Sequence, residues 1–387
     1  FLTGRILGPV DYGTLSSLIS LTYFLTLPTT VLNLLIVKKT AVLKEGKGFS
    51  GAAEFYYWLD QEIKKFGVWG LLILLLASRL IANFFHYYSI IPVIFIGIFS
   101  LFSLFVGVNS SVLLGFLAFK EFSYISVFQS LGKLIICIIL LVLGFGVTGA
   151  VLSLPVSMIL TYFISFLLMQ KLFKRKNIDV VARSQEIKTI IGESLPIAVS
   201  IVALTSFYTT DLLLVRHFLP AFEAGLYASL ANLGKIIFFA SATFSQVMFP
   251  VISGRWVKKE NCRRPFLLSF LGVLAISASL SLIYFAFPKI IMVSFYGHRY
   301  LAIAPLMGIF SVFMILYSLI SLTINFYLAI SRTKILSFVM LAALAQGIMI
   351  FIFHQNILQI IWVNIGVLSF LLVVLLLPFV KDISSGG

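Results

Sequence analysis

The chain has 387 residues, of which 61% are hydrophobic and only 11% are charged. A soluble domain carries roughly twice that share of charged residues, so the composition excludes an ordinary soluble protein. Long apolar runs recur along the whole sequence and do not alternate as the strands of a membrane barrel would. The fold class predicted is therefore all-α, a polytopic membrane protein.

Eleven apolar segments of the sequence are long enough to cross a bilayer, which takes about 20 helical residues. In chain order they are 14–37, 67–87, 90–119, 123–144, 147–170, 192–215, 224–252, 266–287, 302–330, 334–353 and 356–379. Residues 49–66 are too charged to cross, and their pattern predicts an amphipathic helix on the cytoplasmic surface.

The 28 Lys and Arg residues are concentrated in alternate loops between these segments, and the net charge is +15. The most basic loops are 38–65, 171–188 and 255–264, whereas the loops at the opposite ends of the segments hold few cations. Because basic loops face the cytoplasm, this alternation supports the predicted spans and gives their orientation. Lys133 and Lys235 lie inside spans instead.

An internal repeat relates the two halves of the chain. The stretch GRILGPVDYGTLSSL near the start corresponds to VRHFLPAFEAGLYASL in the second half. Arg5 and Arg216 are 211 residues apart, as are Pro9 and Pro220. A second pair of stretches, FLAFKEFS and YLAISRTK, has the same offset of 211. Two matches at one offset indicate a duplication.

The duplication predicts two parallel six-helix lobes around a central cavity, because six is an even number of crossings. The second copy follows segment 192–215, whereas the first has no segment before it. We therefore expect twelve helices in the intact protein, with helix 1 absent here. The predicted domains are an N-terminal lobe at 1–175 (helices 2–6), a cytoplasmic linker at 176–190 and a C-terminal lobe at 191–387 (helices 7–12).

Three stretches resemble, in this order, the polysaccharide-biosynthesis flippases, a branch of the multidrug/oligosaccharidyl-lipid/polysaccharide exporter superfamily. They are GRILGPVDYGTLSSLISL, LLGFLAFKEFSYISVFQSLGKLIICIILLVLGFGVTGA and the sequence from ESLPIAVS to MFPVIS. The resemblance implies movement of polyprenyl-diphosphate-linked oligosaccharide repeat units from the cytoplasmic to the outer leaflet, by alternating access, for surface polysaccharide synthesis. It also implies a prokaryotic inner membrane, contact with membrane lipids and the polysaccharide polymerase machinery as a partner. No nucleic acid is expected.

Lys133 and Lys235 are the first candidates for the substrate cavity. A lysine at the centre of a membrane costs about 2.5–3.5 kcal/mol on insertion scales, so each must face a partner or a wet cavity. A diphosphate in a bilayer needs cationic groups along its path, which makes both lysines candidate phosphate contacts. The alternative is a structural pairing with Asp211.

Asp211 is the only acid well inside a span, and it either pairs with Lys235 or binds and releases a proton or sodium ion. Arg79 either lines the outer part of the cavity or extends its side chain to the surface. Uncharged side chains at depth either bind sugars or join helices; the candidates are Asn109, Gln129, Asn232, Gln246, Asn325 and Gln346.

Three other functions remain open. A multidrug cation antiporter of the same superfamily would need carboxylates in the cavity, and a lipid II flippase would need a densely basic one. A non-transporting membrane subunit of a polysaccharide assembly complex would have a sealed cavity. No nucleotide loop, metal motif or nucleophile elbow is present, so we expect no enzyme activity, bound metal or cofactor.

Overall fold

The computed structural model describes residues 1–87, 89–173 and 198–384, and in these ranges the chain is helical without a β-strand. The predicted linker at 176–190 lies outside the described residues. The chain divides into two compact units: one holds residues 18–173, and the other holds residues 1–17 together with 198–384. Residues 1–17, which belong to the first half by sequence, thus pack with the second half.

The unit of residues 18–173 contains the end of the first helix and four further helices. Their bounds are α1 Leu2–Leu25, α2 Leu27–Phe84, α3 Ile91–Gly115, α4 Phe119–Val142 and α5 Gly146–Leu172. The centre of the unit is α3, which packs against α2 and α5, and α4 packs on α5.

The predicted surface helix at 49–66 is wrong. These residues are part of α2, which runs without a break for 58 residues. The side chains of Ala52, Tyr56 and Leu59 are buried in one apolar cluster with Val108 of α3. The apolar face that the pattern reveals is therefore covered by protein rather than by the membrane surface.

The described part of the second unit contains eight α-helices, two short 3₁₀ helices and the first residues of α1. The α-helices are α6 Ala198–Phe207, α7 Thr210–Phe218, α8 Ala221–Val257, α9 Arg263–Ala286, α10 Pro288–Tyr296, α11 Met307–Ala329, α12 Leu336–Ile352 and α13 Ile357–Ser384. The central helix is α11, which packs against α8, α9 and α13, while α12 packs on α13.

The two units repeat the same packing scheme, as the duplication predicts. In each unit the central helix (α3 or α11) packs against the last helix (α5 or α13), and the helix before the last packs on the last. Gly146 and Ile357, which begin α5 and α13, are 211 residues apart. The offset found in the sequence is therefore a structural repeat.

Within the described residues, eight helices are long and apolar enough to cross a membrane, and two bent pairs raise the number to ten. One pair is α1 with the first part of α2, bent by 40°, and the other is α6 with α7, bent by 41°. The shorter apolar helix α12 has 17 residues. Over the described residues, each of the eleven predicted spans coincides with one of these elements, and the protein is a multi-pass integral membrane protein.

Candidate functional site

A break between α6 and α7 lies at the centre of the candidate site. The local sequence SFYTTD is rich in hydroxyl side chains, which compete for the backbone groups of a helix. The hydroxyls of Ser206 and Thr210 are 2.7 Å apart, and Thr209 donates to the Thr205 carbonyl oxygen at 2.6 Å. The span predicted at 192–215 is thus interrupted, and a buried carbonyl, that of Phe207, is released for another partner.

Asp211 lies in the first turn of α7 and is only 1% exposed. One carboxylate oxygen accepts a hydrogen bond from the Leu212 backbone N–H at 2.7 Å, and the other accepts one from the Tyr227 hydroxyl at 2.6 Å. The N-terminal end of a helix also favours a negative charge. These contacts allow a carboxylate to exist inside an apolar bundle.

The hydrogen bonds of Asp211 continue into two more helices. Asn364 of α13 donates to the Tyr227 hydroxyl at 3.2 Å. Gln346 of α12 donates to the Asn364 side-chain oxygen at 2.8 Å and to the carbonyl oxygen of Phe207 at 3.0 Å. The network therefore returns to the break in the helix and joins α7, α8, α12 and α13.

The network contains one buried acceptor that has no partner among the described residues, the side-chain oxygen of Gln346. A buried polar atom of this kind is costly unless a ligand, ion or water satisfies it. Oxygen atoms from a carboxylate, a hydroxyl and amides are the ligands that hard cations prefer. The chemistry of the network therefore suits a proton or a small hard cation.

Lys235 lies in α8 beside this network. Its ammonium group lies 5.1 Å from the centre of the Tyr208 ring, a cation–π contact at the break between α6 and α7. Lys235 is also close enough to Asp211 for their charges to interact. One turn earlier, Asn232 donates to the hydroxyl of Tyr12 at 2.7 Å. The structure thus brings Lys235 and Asp211 into one region of this unit.

Three predicted residues are exposed or partly exposed in the other unit. Lys133 is exposed on α4, and Gln129 lies one turn before it on the same face. Arg79 is exposed on α2, near the end of that helix. Lys133 and Gln129 are therefore two polar positions on one face of α4.

Two of the remaining candidates join helices. Asn109 is buried, accepts a hydrogen bond from the Tyr56 hydroxyl at 3.1 Å and donates to the Ser165 hydroxyl at 2.9 Å. Asn325 donates to the hydroxyl of Ser245 at 2.9 Å, which links α11 to α8. Both geometries are those of packing contacts.

Sequence reasoning missed Tyr227 and Asn364 as members of the site. Asn364 interrupts the apolar run IIWVNIGVL, and an isolated amide in such a run is a usable signal. Tyr227 lies within the repeated stretch VRHFLPAFEAGLYASL and carries no comparable signal. Among the described residues no group of three His, Cys, Asp or Glu side chains could hold a metal ion.

The fold is shared with solved transporters. A multidrug resistance MATE family transporter of the MOP superfamily, in an inward-facing conformation, aligns with a TM-score of 0.84 at 14% identity, over 100% of this chain and 94% of that one. The lipid II flippase MurJ aligns with a TM-score of 0.67 at 16% identity, over 97% of this chain and 85% of that one.

A MOP-superfamily transporter from Pyrococcus furiosus aligns with a TM-score of 0.63 at 17% identity, over 97% of this chain and 90% of that one. No curated protein matches the chain in sequence. The family described as polysaccharide biosynthesis protein matches residues 2–305. The resemblance noted in the sequence is therefore confirmed, and the chain belongs to the polysaccharide biosynthesis protein family, with the fold of the MOP-superfamily transporters.

Proposed function

We propose that the protein is a flippase that moves polyprenyl-diphosphate-linked oligosaccharide repeat units from the cytoplasmic to the outer leaflet of a prokaryotic inner membrane. The observation that carries this proposal is the broken helix α6–α7 with the buried Asp211 and the adjacent Lys235. Discontinuous helices with charged groups at depth form the substrate and ion sites of secondary transporters. Family membership and the repeated fold support the same function.

In this proposal the lysines compensate the charge of the substrate. A diphosphate moved through a bilayer loses much of its hydration, and charge-assisted hydrogen bonds replace part of it. Lys235 and Lys133 are the side chains we assign to this role, and Gln129 and Asn232 are candidate sugar contacts. The prenyl tail stays in the lipid while the head group crosses by alternating access, and the polymerase machinery uses the product.

We also propose that Asp211 couples transport to a proton or sodium gradient. Neutralising its carboxylate changes the charge next to Lys235 and the hydrogen bond from Tyr227. Both changes alter how firmly α7 and α8 are held together. A gradient-driven assay with Asp211→Asn tests this, because asparagine keeps the shape but not the charge. Glu223→Gln, at the start of α8, is the matched control.

Complementation of cells that lack their own repeat-unit flippase tests the transport function. Surface polysaccharide is scored for the wild type, Lys133→Ala, Lys235→Ala and the double variant, at equal membrane levels, with the loop variant Lys258→Ala as control. If the wild type and Lys258→Ala restore surface polysaccharide and the other variants do not, the result supports both the flippase function and the assignment of Lys133 and Lys235 to the substrate site. Restoration by every variant contradicts the site assignment and keeps the function.

A multidrug cation antiporter is the second candidate, because a multidrug transporter aligns at the TM-score of 0.84 and Asp211 is a buried carboxylate. Under this function the same cells would gain resistance to cationic drugs and would not regain surface polysaccharide. A non-transporting subunit of an assembly complex would do neither on its own. The complementation experiment therefore separates all three functions.

A further inference from the structure

An apolar groove of about 390 Å³ runs between α12 and α13. Its α12 side includes Phe338, Ala345 and Met349, and its α13 side includes Gly366 and Phe370. Every residue that lines the groove is apolar or glycine. Phe338 is 51% exposed and Phe370 is 71% exposed, so the groove opens to the surroundings of the unit.

The length of the groove matches one leaflet of a bilayer. Phe338 and Met349 are eleven residues apart on α12, which corresponds to roughly 16 Å of helix. The hydrocarbon core of a bilayer is about 30 Å thick, so one leaflet contributes about half of that. A single hydrocarbon chain that lies along the groove would therefore extend from the interface to about the midplane.

The groove has room for such a chain because two of the residues that line it are small. Ala345 is on one side and Gly366 on the other. A Cβ atom added at Gly366 would meet no other atom within 4 Å. Water does not fill a site without polar partners, so the medium at this depth that can occupy the groove is hydrocarbon.

Two basic residues stand at one end of the groove. Arg332 and Lys334 are exposed, and Lys334 lies about one turn before Phe338, where α12 begins. By the distribution of Lys and Arg, this end faces the cytoplasm. Basic side chains at the cytoplasmic end of an inter-helix pocket recognise anionic lipid head groups. Charge and shape therefore indicate the same kind of ligand.

We propose that this groove is a binding site for an anionic phospholipid of the cytoplasmic leaflet. One acyl chain lies between α12 and α13, and the phosphate lies beside Arg332 and Lys334. The same two helices carry Gln346 and Asn364, which are joined by a hydrogen bond of 2.8 Å. A bound lipid thus supports the pair of helices that holds one side of the polar network. Lipid binding in this groove is independent of which molecule the protein transports.

The test is thermal unfolding of the purified full chain in detergent, titrated with phosphatidylglycerol or with phosphatidylcholine of the same acyl chains. We expect phosphatidylglycerol to raise the Tm at lower concentrations than phosphatidylcholine. Each of Arg332→Gln and Lys334→Gln should weaken the apparent affinity about five-fold, and the double variant about 25-fold, from the typical contribution of one basic residue near an anionic surface. Lys258→Gln, a change to an exposed lysine after α8, should leave it unchanged.

Gly366→Leu fills the groove and should abolish the effect of the lipid while the protein still folds, because the position has free space. Gly254→Leu is its control, since a Cβ atom there also meets nothing within 4 Å. Equal effects of the two lipids, or a normal response of Gly366→Leu, would overturn the proposal. Displacement of phosphatidylglycerol by a polyprenyl phosphate at matched concentration would assign the groove to the tail of the substrate and also overturn it.

Discussion

Replacing Gly225 by alanine would disrupt the contact between α1 and α8. A Cβ atom at Gly13 would lie 2.6 Å from the backbone nitrogen of Gly225, and a Cβ atom at Gly225 would overlap the carbonyl oxygen of Pro9. Backbone atoms cannot rotate away as a side chain can. The methyl group therefore forces the start of α1 away from α8, and we expect a loss of stability.

The size of the loss follows from what holds α1 in place. The hydroxyls of Tyr12 and Tyr296 are 2.8 Å apart, Asn232 donates to Tyr12 at 2.7 Å, and Tyr300 donates to the Gly4 carbonyl oxygen at 2.9 Å. Each hydrogen bond makes a net contribution of about 1 kcal/mol to stability. Loss of these three bonds, when α1 is displaced, therefore costs about 3 kcal/mol. Overpacking without separation costs about 1–3 kcal/mol. We expect the free energy of unfolding to fall by about 2–3 kcal/mol.

The assay is equilibrium unfolding of the purified protein, with Gly254→Ala as the matched control on the same helix. A methyl group at Gly254 meets no atom within 4 Å, so the better helix propensity of alanine should raise stability by about 0.5–1 kcal/mol. The two glycine substitutions should therefore have opposite signs. Equal stability of the two variants would refute the close contact of α1 with α8.

Three further substitutions test the polar residues. Tyr227→Phe removes the hydroxyl that donates to Asp211, and we expect it to lower the free energy of unfolding by about 1–3 kcal/mol; an unchanged thermal unfolding curve would contradict the network. Asn109→Leu removes two buried side-chain hydrogen bonds, so it should lower stability by about 1–2 kcal/mol while surface polysaccharide stays normal at equal expression. Lys133→Ala changes an exposed side chain, so stability should stay within about 0.5 kcal/mol; normal polysaccharide export by this variant would remove Lys133 from the site.

The spans could be predicted because they depend on the composition of single segments. The duplication could be predicted because it depends only on a comparison of stretches of the sequence. The length and apolarity of each helix are local, and an offset such as that between Arg5 and Arg216 is visible in the sequence alone. The partners of a side chain are not local. Residues 49–66 have a clear apolar face, but the sequence does not say whether lipid or α3 covers it.

The candidate site shows the same limit in its individual residues. Asp211 and Lys235 could be found because a charge inside a membrane is expensive and needs a reason. Tyr227 and Asn364 complete the environment of Asp211 from distant parts of the chain. Tyr227 is 16 positions from Asp211, and Asn364 is 137 positions from Tyr227. The break in the segment 192–215 was also missed, because hydroxyl side chains are common inside continuous membrane helices as well.

The two units share a packing scheme but differ in some of their polar residues. At the offset of 211 residues, Gln346 corresponds to Ile135; Lys235 follows the pair Gly13 and Gly225, which are 212 apart, and so corresponds to Tyr23. At either offset the counterparts of α6 and of Asp211 fall outside the given sequence, so the two halves can be compared only at the other members of the network. Asn364 corresponds to Ser153 at the offset of 211, and Ser153 is also buried, so the first half retains a buried polar side chain at one of these positions. Under the coupling role proposed for Asp211, transport should respond to substitutions in the network around it, in the second half of the chain.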